Sequence, residues 1–334
     1  MTHLSPRGLS VMLAAVMVVL LGFALWHGES EISAWHGLCD IMAGRSSVAA
    51  TIVGQLRLPR ALLAVVIGGV LGCSGAALQG YLRNPLADPG VLGVSSGAAL
   101  GAVCVFYTGL LRLSVVMLPL GGLIGALIAV MLLVGLVGRG GAVVLLLAGA
   151  ALSSLFAALT ALTLNLVQNP YASFEIAHWL MGSLTDRTFQ HVLICLPGSL
   201  IGLVLVASTG RALDALVLGE DVALSMGFIL HGWRGVQTRL VLGVALAVGS
   251  CTAVSGAIGF VGLVIPHLLR PLTGYQPSRL LVPSFLGGTI MLLVADDAVR
   301  AFNWGVELQI GVLTALAGAP LFLYRVVTLR RSTL

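Results

Sequence analysis

The chain has no lysine. All 17 of its basic Lys-plus-Arg positions are arginine. A phosphate-binding loop of the G-x-x-x-x-G-K-[ST] type needs its lysine on the nucleotide phosphates, so an ordinary one is excluded. If ATP drives this protein, another polypeptide hydrolyses it. Charge of either sign is also scarce: 9% of 334 residues, where a soluble domain carries roughly a quarter. The arginines stand singly between apolar runs, so the net charge of +5 does not form a nucleic-acid-binding stripe. The five cysteines (Cys39, Cys73, Cys104, Cys195 and Cys251) include no C-x-x-C pair. Four lie in or beside apolar runs, where Cys behaves as a small hydrophobe. Neither a disulfide framework nor a thiolate metal site follows, and no metal or cofactor is expected.

What is present is apolar: 58% of residues, in long runs that recur along the whole chain. The surrounding solvent is therefore lipid, and the fold class is all-α, a polytopic membrane protein. Spans of about 20 residues are expected near 9–27, 61–82, 91–108, 113–137, 142–167, 190–208, 238–257, 258–272, 280–299 and 306–327. Together they form one transmembrane domain over 1–334. The run Leu9–Trp26 lacks a small-x-small cleavage pattern after it, so a retained first helix is expected rather than a secretory signal.

The stretch Leu240–Leu269 decides the parity. As one helix it would be about 45 Å long, too long for a ~30 Å hydrocarbon core. Gly256, Gly259, Gly262 and Pro266 interrupt it, which favours two spans. Ten spans with the N-terminus inside put Arg7, Arg83, Arg139, Arg211, Arg234, Arg239, Arg270, Arg279, Arg325, Arg330 and Arg331 in the cytoplasm. Arg45, Arg57, Arg60, Arg112, Arg187 and Arg300 then face outward. This is the bias of the positive-inside rule, and nine spans would remove most of it.

Three polar segments remain: 28–60 and 168–189 outside, and 209–237 inside. Within the last, Leu218 to Gly227 reads as a short amphipathic helix with Glu220 and Asp221 in its first turn and a glycine at its end. Such a helix suits either a docking surface or a solvated connector.

Several segments, in order, resemble the permease family that imports iron chelates, haem and cobalamin within ATP-binding-cassette importers, the FecCD/BtuC-like permeases. They are Arg57-Leu58-Pro59-Arg60, Gly68 to Gln79, Arg83-Asn84-Pro85-Leu86 through Gly93, Ser95 to Ala98 and Leu147-Ala148-Gly149. Further along come Trp179 to Ser183, Gly219 to Gly227, Gly259 to His267 with Arg270, Ala295-Asp296 with Arg300, Gly311 to Ala315, and Gly318-Ala319-Pro320. The resemblance runs from about residue 50 to 325. It implies the type II importer permease fold of ten helices, a homodimer, two cytoplasmic ATPase subunits and a periplasmic binding protein, in a bacterial inner membrane with both termini cytoplasmic. It also implies that Arg57, Arg60 and Arg300 dock the binding protein, and that Gly219, Glu220, Asp221, Ala223, Ser225, Met226 and Gly227 couple to the ATPase. Asn84, Pro85 and Leu86 would lie at the cytoplasmic gate.

The residues also admit other readings. Outward arginines resist the positive-inside bias; forks matched to partner carboxylates would explain them, and so would snorkelling to headgroups. Gly72-Cys73-Ser74-Gly75 matches an intramembrane serine-protease pattern with His267 as a nominal base, but the two sit at different depths. Asp296 and Asp297 are the sole candidates for an ion-coupled secondary transporter, and pairing with Arg300 explains them more simply. His178 and Met181 could serve haem as ligands, though loop residues of these types are mostly interfacial. Ferric siderophore is the first expectation for cargo, with haem and cobalamin next, carried by alternating access without bond chemistry.

Overall fold

Backbone polar groups find no water in lipid, and among the described residues they are paired mainly within helices and in the turns between them, with no strand. The computed structural model describes residues 6–28, 32–114, 116–138, 140–167, 170–301 and 308–332. Arg139 lies outside them, as do the side chains of Arg325, Arg330 and Arg331. The chain opens with α1 (Pro6–Trp26), α2 (Ala34–Met42), α3 (Val48–Thr51) and α4 (Leu58–Tyr81). Next come α5 (Val94–Thr108), α6 (Met117–Val137), α7 (Ala142–Leu166), α8 (Pro170–Leu180) and α9 (Phe189–Ser208). Two short helices follow, α10 (Gly210–Val217) and α11 (Glu220–Ser225), and then α12 (Val236–Ser255), α13 (Val261–Leu269), α14 (Pro277–Ala301) and α15 (Ile310–Ser332).

Among the described residues, seven helical stretches are long and apolar enough to cross a membrane, and three shorter apolar helices accompany them. Helices occupy each stretch read as a span, with ends displaced by a few residues. The second is the exception. Its helix is continuous from Val48 to Tyr81, so Arg57 and Arg60 lie within a helical rod and not in a loop before it. Pro59 offers no N–H to the preceding turn, and the helix widens there into a π-turn over Ile52–Arg57. A helix that continues through polar residues leaves no apolar run to mark its start.

The break expected after Leu240 is present: α12 ends at Gly256, which has φ +73°, and α13 starts after Phe260 at φ +66°. Two stretches form the centre. Of their most apolar windows, 83% is buried in both Val48–Tyr81 and Val236–Ser255, against 11% in α1 and 22% in α7. The outer helices therefore turn most of their apolar surface away from this chain. Close backbone approach builds the centre. A methyl at Gly72 would run into the Ser284 carbonyl oxygen on α14, and one at Gly75 into that of Gly262 on α13. Small residues permit such contact where lipid provides no hydrophobic drive between helices.

The 24 residues of α4 rise about 36 Å, slightly more than a ~30 Å hydrocarbon core. Arg60 stands at its start and Arg83 just past its end. The two clusters of candidate residues therefore lie at opposite ends of a helix long enough to cross a membrane.

Candidate functional site

At the Arg300 end, the last turn of α1 leaves backbone carbonyls with no intrahelical partner. Arginines from two other elements satisfy them. Arg57 Nη1 donates to the Leu25 and Trp26 carbonyls, each at 3.2 Å. Arg300 Nη1 donates to those of Ala24 at 2.9 Å and His27 at 2.8 Å. Cations at a helix C-terminus also complement its dipole.

Carboxylates complete the cluster. Arg60 Nε lies 2.8 Å from Asp296 Oδ1, and Arg300 Nη2 lies 3.1 Å from Asp296 Oδ2. Arg300 is also ion-paired with Asp297, one turn back on α14. Asp296 has no exposed surface, and the side chains of Arg60 and Arg300 are 13% and 4% exposed. The structure thus brings Arg57, Arg60 and Arg300 together, but as the struts of a network that ties α1, α4 and α14. Asp296 and Asp297 are paired with arginine, the simpler of the two explanations for them. The guanidinium groups of Arg60 and Arg300 face carboxylates of their own chain, a pattern that spacing could not reveal because Arg60 and Asp296 are 236 positions apart.

The network borders a cavity of about 230 Å³ lined by Arg57, Arg60, Arg300, Gly28, Leu184 and Arg187, among others. Arg187 was expected on this face without a role. It follows Asp186, at φ +57°, in the turn between α8 and α9. Burial lowers the pKa of Arg187, and Asp186 beside it acts in the opposite direction.

At the Glu220 end, Gly219 at φ +117° precedes α11 and Gly227 at φ +85° follows it, conformations that favour glycine. The helix is therefore shorter than the expected Leu218–Gly227 segment. Ala223 is fully buried and seats α11, while Met226 is 59% exposed. Beneath it, Asp214 on α10 accepts from Ser278 N at 2.8 Å, Ser278 Oγ at 2.6 Å and Gln276 Nε2 at 2.7 Å. That bonding fixes the α10–α11 platform to the start of α14. Arg83 Nη2 reaches Glu220 Oε1 at 3.3 Å, with both side chains half exposed.

The Asn84-Pro85-Leu86 segment begins just after Arg83. Asn84 Oδ1 accepts from Leu86 N at 2.9 Å, and Asp88 accepts from Gly90 N at 2.8 Å, so the segment is two consecutive Asx turns. Burial raises the Asp88 pKa, and the Gly90 N–H partly offsets this. Below the turns sits Gln79, 1% exposed. Its Nε2 faces the carbonyls of Ala87 at 3.3 Å, Gly262 at 3.4 Å and Leu263 at 3.2 Å, and its Oε1 accepts from Arg270 Nη2 at 2.6 Å. Gln79 and Arg270 lay in the quoted motifs without a role. A lone amide in an apolar helix was the available signal.

The other candidates are accounted for. Ser74 Oγ, buried in α4, has no hydrogen-bond partner among the described residues, so the contact a serine–histidine dyad needs is missing. His178 is stacked on Phe174 and lies 2.7 Å from Gln309 Nε2, which ties α8 to the start of α15. Among the described residues, no group of three His, Cys, Asp or Glu is placed to hold a metal.

An all-helical polytopic chain with a buried ion network at one end and a platform at the other is built as a permease. Its sequence matches the FecCD transport family over residues 15–328, and the chain belongs to that family. It is 38% identical over 298 residues to the uncharacterized ABC transporter permease protein YvrB of Bacillus subtilis, covering 86% of this chain and 82% of that one. It is 36% identical to the hemin transport system permease protein HmuU of Yersinia pestis, covering 92% and 87%. It is 37% identical to the Fe(3+) dicitrate transport system permease protein FecD of Escherichia coli, covering 84% and 86%. A solved structure assigned to a metal-chelate type ABC transporter, in an inward-facing conformation, superposes with a TM-score of 0.81. Identity there is 30%, covering 96% of this chain and 98% of that one. The protein is the membrane permease of a metal-chelate type ABC importer and not an enzyme; its ATPase is a separate subunit.

Proposed function

We propose that two copies of this chain form the pathway of an importer for ferric siderophores, in a bacterial inner membrane with both termini in the cytoplasm. The observation that carries this reading is the pair of clusters held at opposite ends of α4, a helix long enough to cross a membrane, in a chain that matches the family almost end to end. The Arg300 end receives a periplasmic binding protein, and α11 rests on the ATPase. ATP binding and hydrolysis are transmitted through Glu220 to Gly227 toward the Asn84-Pro85-Leu86 gate, and helix pairs rock to alternate access. Relatives named for ferric citrate support an iron chelate as cargo, while those named for hemin and vitamin B12 keep haem and cobalamin as the second reading. The ion-coupled alternative has weak support, because Asp296 is tied to two arginines.

The test is reconstitution of the permease with its ATPase and binding protein in proteoliposomes. ATP-dependent uptake of a ferric siderophore that exceeds uptake of haem and cobalamin is expected. Preference for haem or cobalamin would overturn the cargo assignment alone. Uptake by the permease without its ATPase, driven by an ion gradient, would overturn the mechanism.

A further inference from the structure

Another cavity, of about 260 Å³, lies at the Glu220 end, between α4, α10 and the start of α14. Its polar lining is Gln79, Arg83, Arg270 and Tyr275, and Val217 and Leu280 are among its apolar walls. Two arginines thus face one cavity that no carboxylate lines. Arg270 forms no ion pair among the described residues. Its Nη2 donates to Oε1 of Gln79, a neutral amide, at 2.6 Å, and its other guanidinium N–H groups have no acceptor among those residues. Arg83 is paired with Glu220, but at 3.3 Å, longer than the about 2.7–2.9 Å of a firm charge-assisted bond.

The cavity is built and not merely left over. Gln79 is buried and held by three carbonyls, so it fixes the Arg270 guanidinium that leans on it. Tyr275 N donates to the Arg270 carbonyl at 3.1 Å, which closes the turn between α13 and α14 on the same residue. Among the described residues, four other than glycine have a positive φ, and two of them line this cavity: Arg83 at +50° and Tyr275 at +61°. A β-carbon makes that region unfavourable, and such strain gathers where a ligand is clamped. With the donors fixed in advance, little ordering entropy remains to be lost on binding.

We infer that this cavity binds a phosphate dianion between Arg83 and Arg270, as free inorganic phosphate or as the monoester headgroup of phosphatidic acid, in competition with Glu220 for Arg83. Two guanidinium forks match an anion of charge about −1.5 to −2 that offers three or more acceptor oxygens. A carboxylate brings one charge and two oxygens, and Glu220 already supplies that much to Arg83. The apolar walls make the attraction stronger than it is in water. Once bound, the anion draws Arg83 from Glu220 and frees α11 from the chain leading into Asn84-Pro85-Leu86. The site goes beyond the importer reading and does not depend on it.

The test uses the full-length permease in nanodiscs of phosphatidylcholine, without ATPase or binding protein, so its failure leaves the importer reading untouched. Inorganic phosphate added at constant ionic strength, with chloride as the reference anion, should raise the melting temperature in a saturable way. Arg83→Gln and Arg270→Gln should each weaken that binding about tenfold or more, as for loss of hydrogen bonds to a charged group. Arg83 is half exposed and weakly paired, so its variant keeps the fold even where Arg270→Gln loosens Gln79. Glu220→Gln should bind up to about fivefold more tightly, because the competitor is gone. Native mass spectrometry distinguishes the sources. Phosphatidic acid retained in preference to phosphatidylglycerol, and lost in Arg83→Gln, assigns the lipid headgroup; a phosphate response without such retention assigns the free anion. Neither response in the unaltered chain, or an undiminished response in both arginine variants, would overturn the site. Binding no tighter in Glu220→Gln would overturn the competition.

Discussion

At the scale of single residues, the arginine cluster does structural work that a sequence does not display. Arg300 neutralises Asp296 and Asp297 in a nearly water-free setting, and removing one partner of a buried pair leaves an uncompensated charge. Arg300→Ala should therefore cost about 3–5 kcal/mol and appear as a lower melting temperature in detergent, whether or not a binding protein is present. A variant that melts like the unaltered protein but loses only partner affinity would show that Arg300 is a docking residue and not a strut. The resemblance to the permease family made Arg57, Arg60 and Arg300 candidates among six arginines expected on the outer face. It could not show their partners, since Arg60 and Asp296 meet only when α4 and α14 pack. Arg187 was placed on the outer face without a role, because nothing in its local sequence distinguishes it from a headgroup anchor.

At the scale of elements, α4 carries the most structure per residue. Its glycines let α13 and α14 approach to backbone contact, so Gly72→Leu should destabilise the protein by at least about 1–3 kcal/mol, the usual cost of overpacking. Thermal unfolding in detergent would measure it, and an unaffected melt would mean that α14 can retreat freely. Gln79 binds the Ala87 turn, α13 and Arg270 at one point. Gln79→Leu leaves buried carbonyls and a guanidinium unmatched, at about 1–3 kcal/mol for each unsatisfied group. We expect futile ATP hydrolysis in reconstituted vesicles, with less cargo moved per ATP. Unchanged coupling would remove Gln79 from any account of the gate. The helices themselves were legible because long apolar runs admit few alternatives. The start of the second one was not, because a helix that continues through Arg57 and a π-turn has no apolar signature.

At the scale of the whole molecule, the outer helices offer lipid or a second copy far more apolar surface than the central pair does. The homodimer reading predicts a mass of two chains for the purified permease in native mass spectrometry, and a single-chain mass would count against it. The parity of ten spans places both termini on one side, so activity reporters fused to each end should agree; opposite results would restore the nine-span count. The scatter of arginines gives an expectation of parity that these reporters test, whereas a dimer partner leaves no trace in a single chain. The Arg83–Glu220 pair, finally, has a mechanical meaning. It is the one ion pair among the described residues that joins α11 to the chain leading into Asn84-Pro85-Leu86, and both of its side chains are half exposed. Such pairs are worth about 0–1 kcal/mol and weaken with salt. On the proposed coupling route it would be a clutch and not a weld, passing a small displacement from platform to turn and slipping before it strains either one.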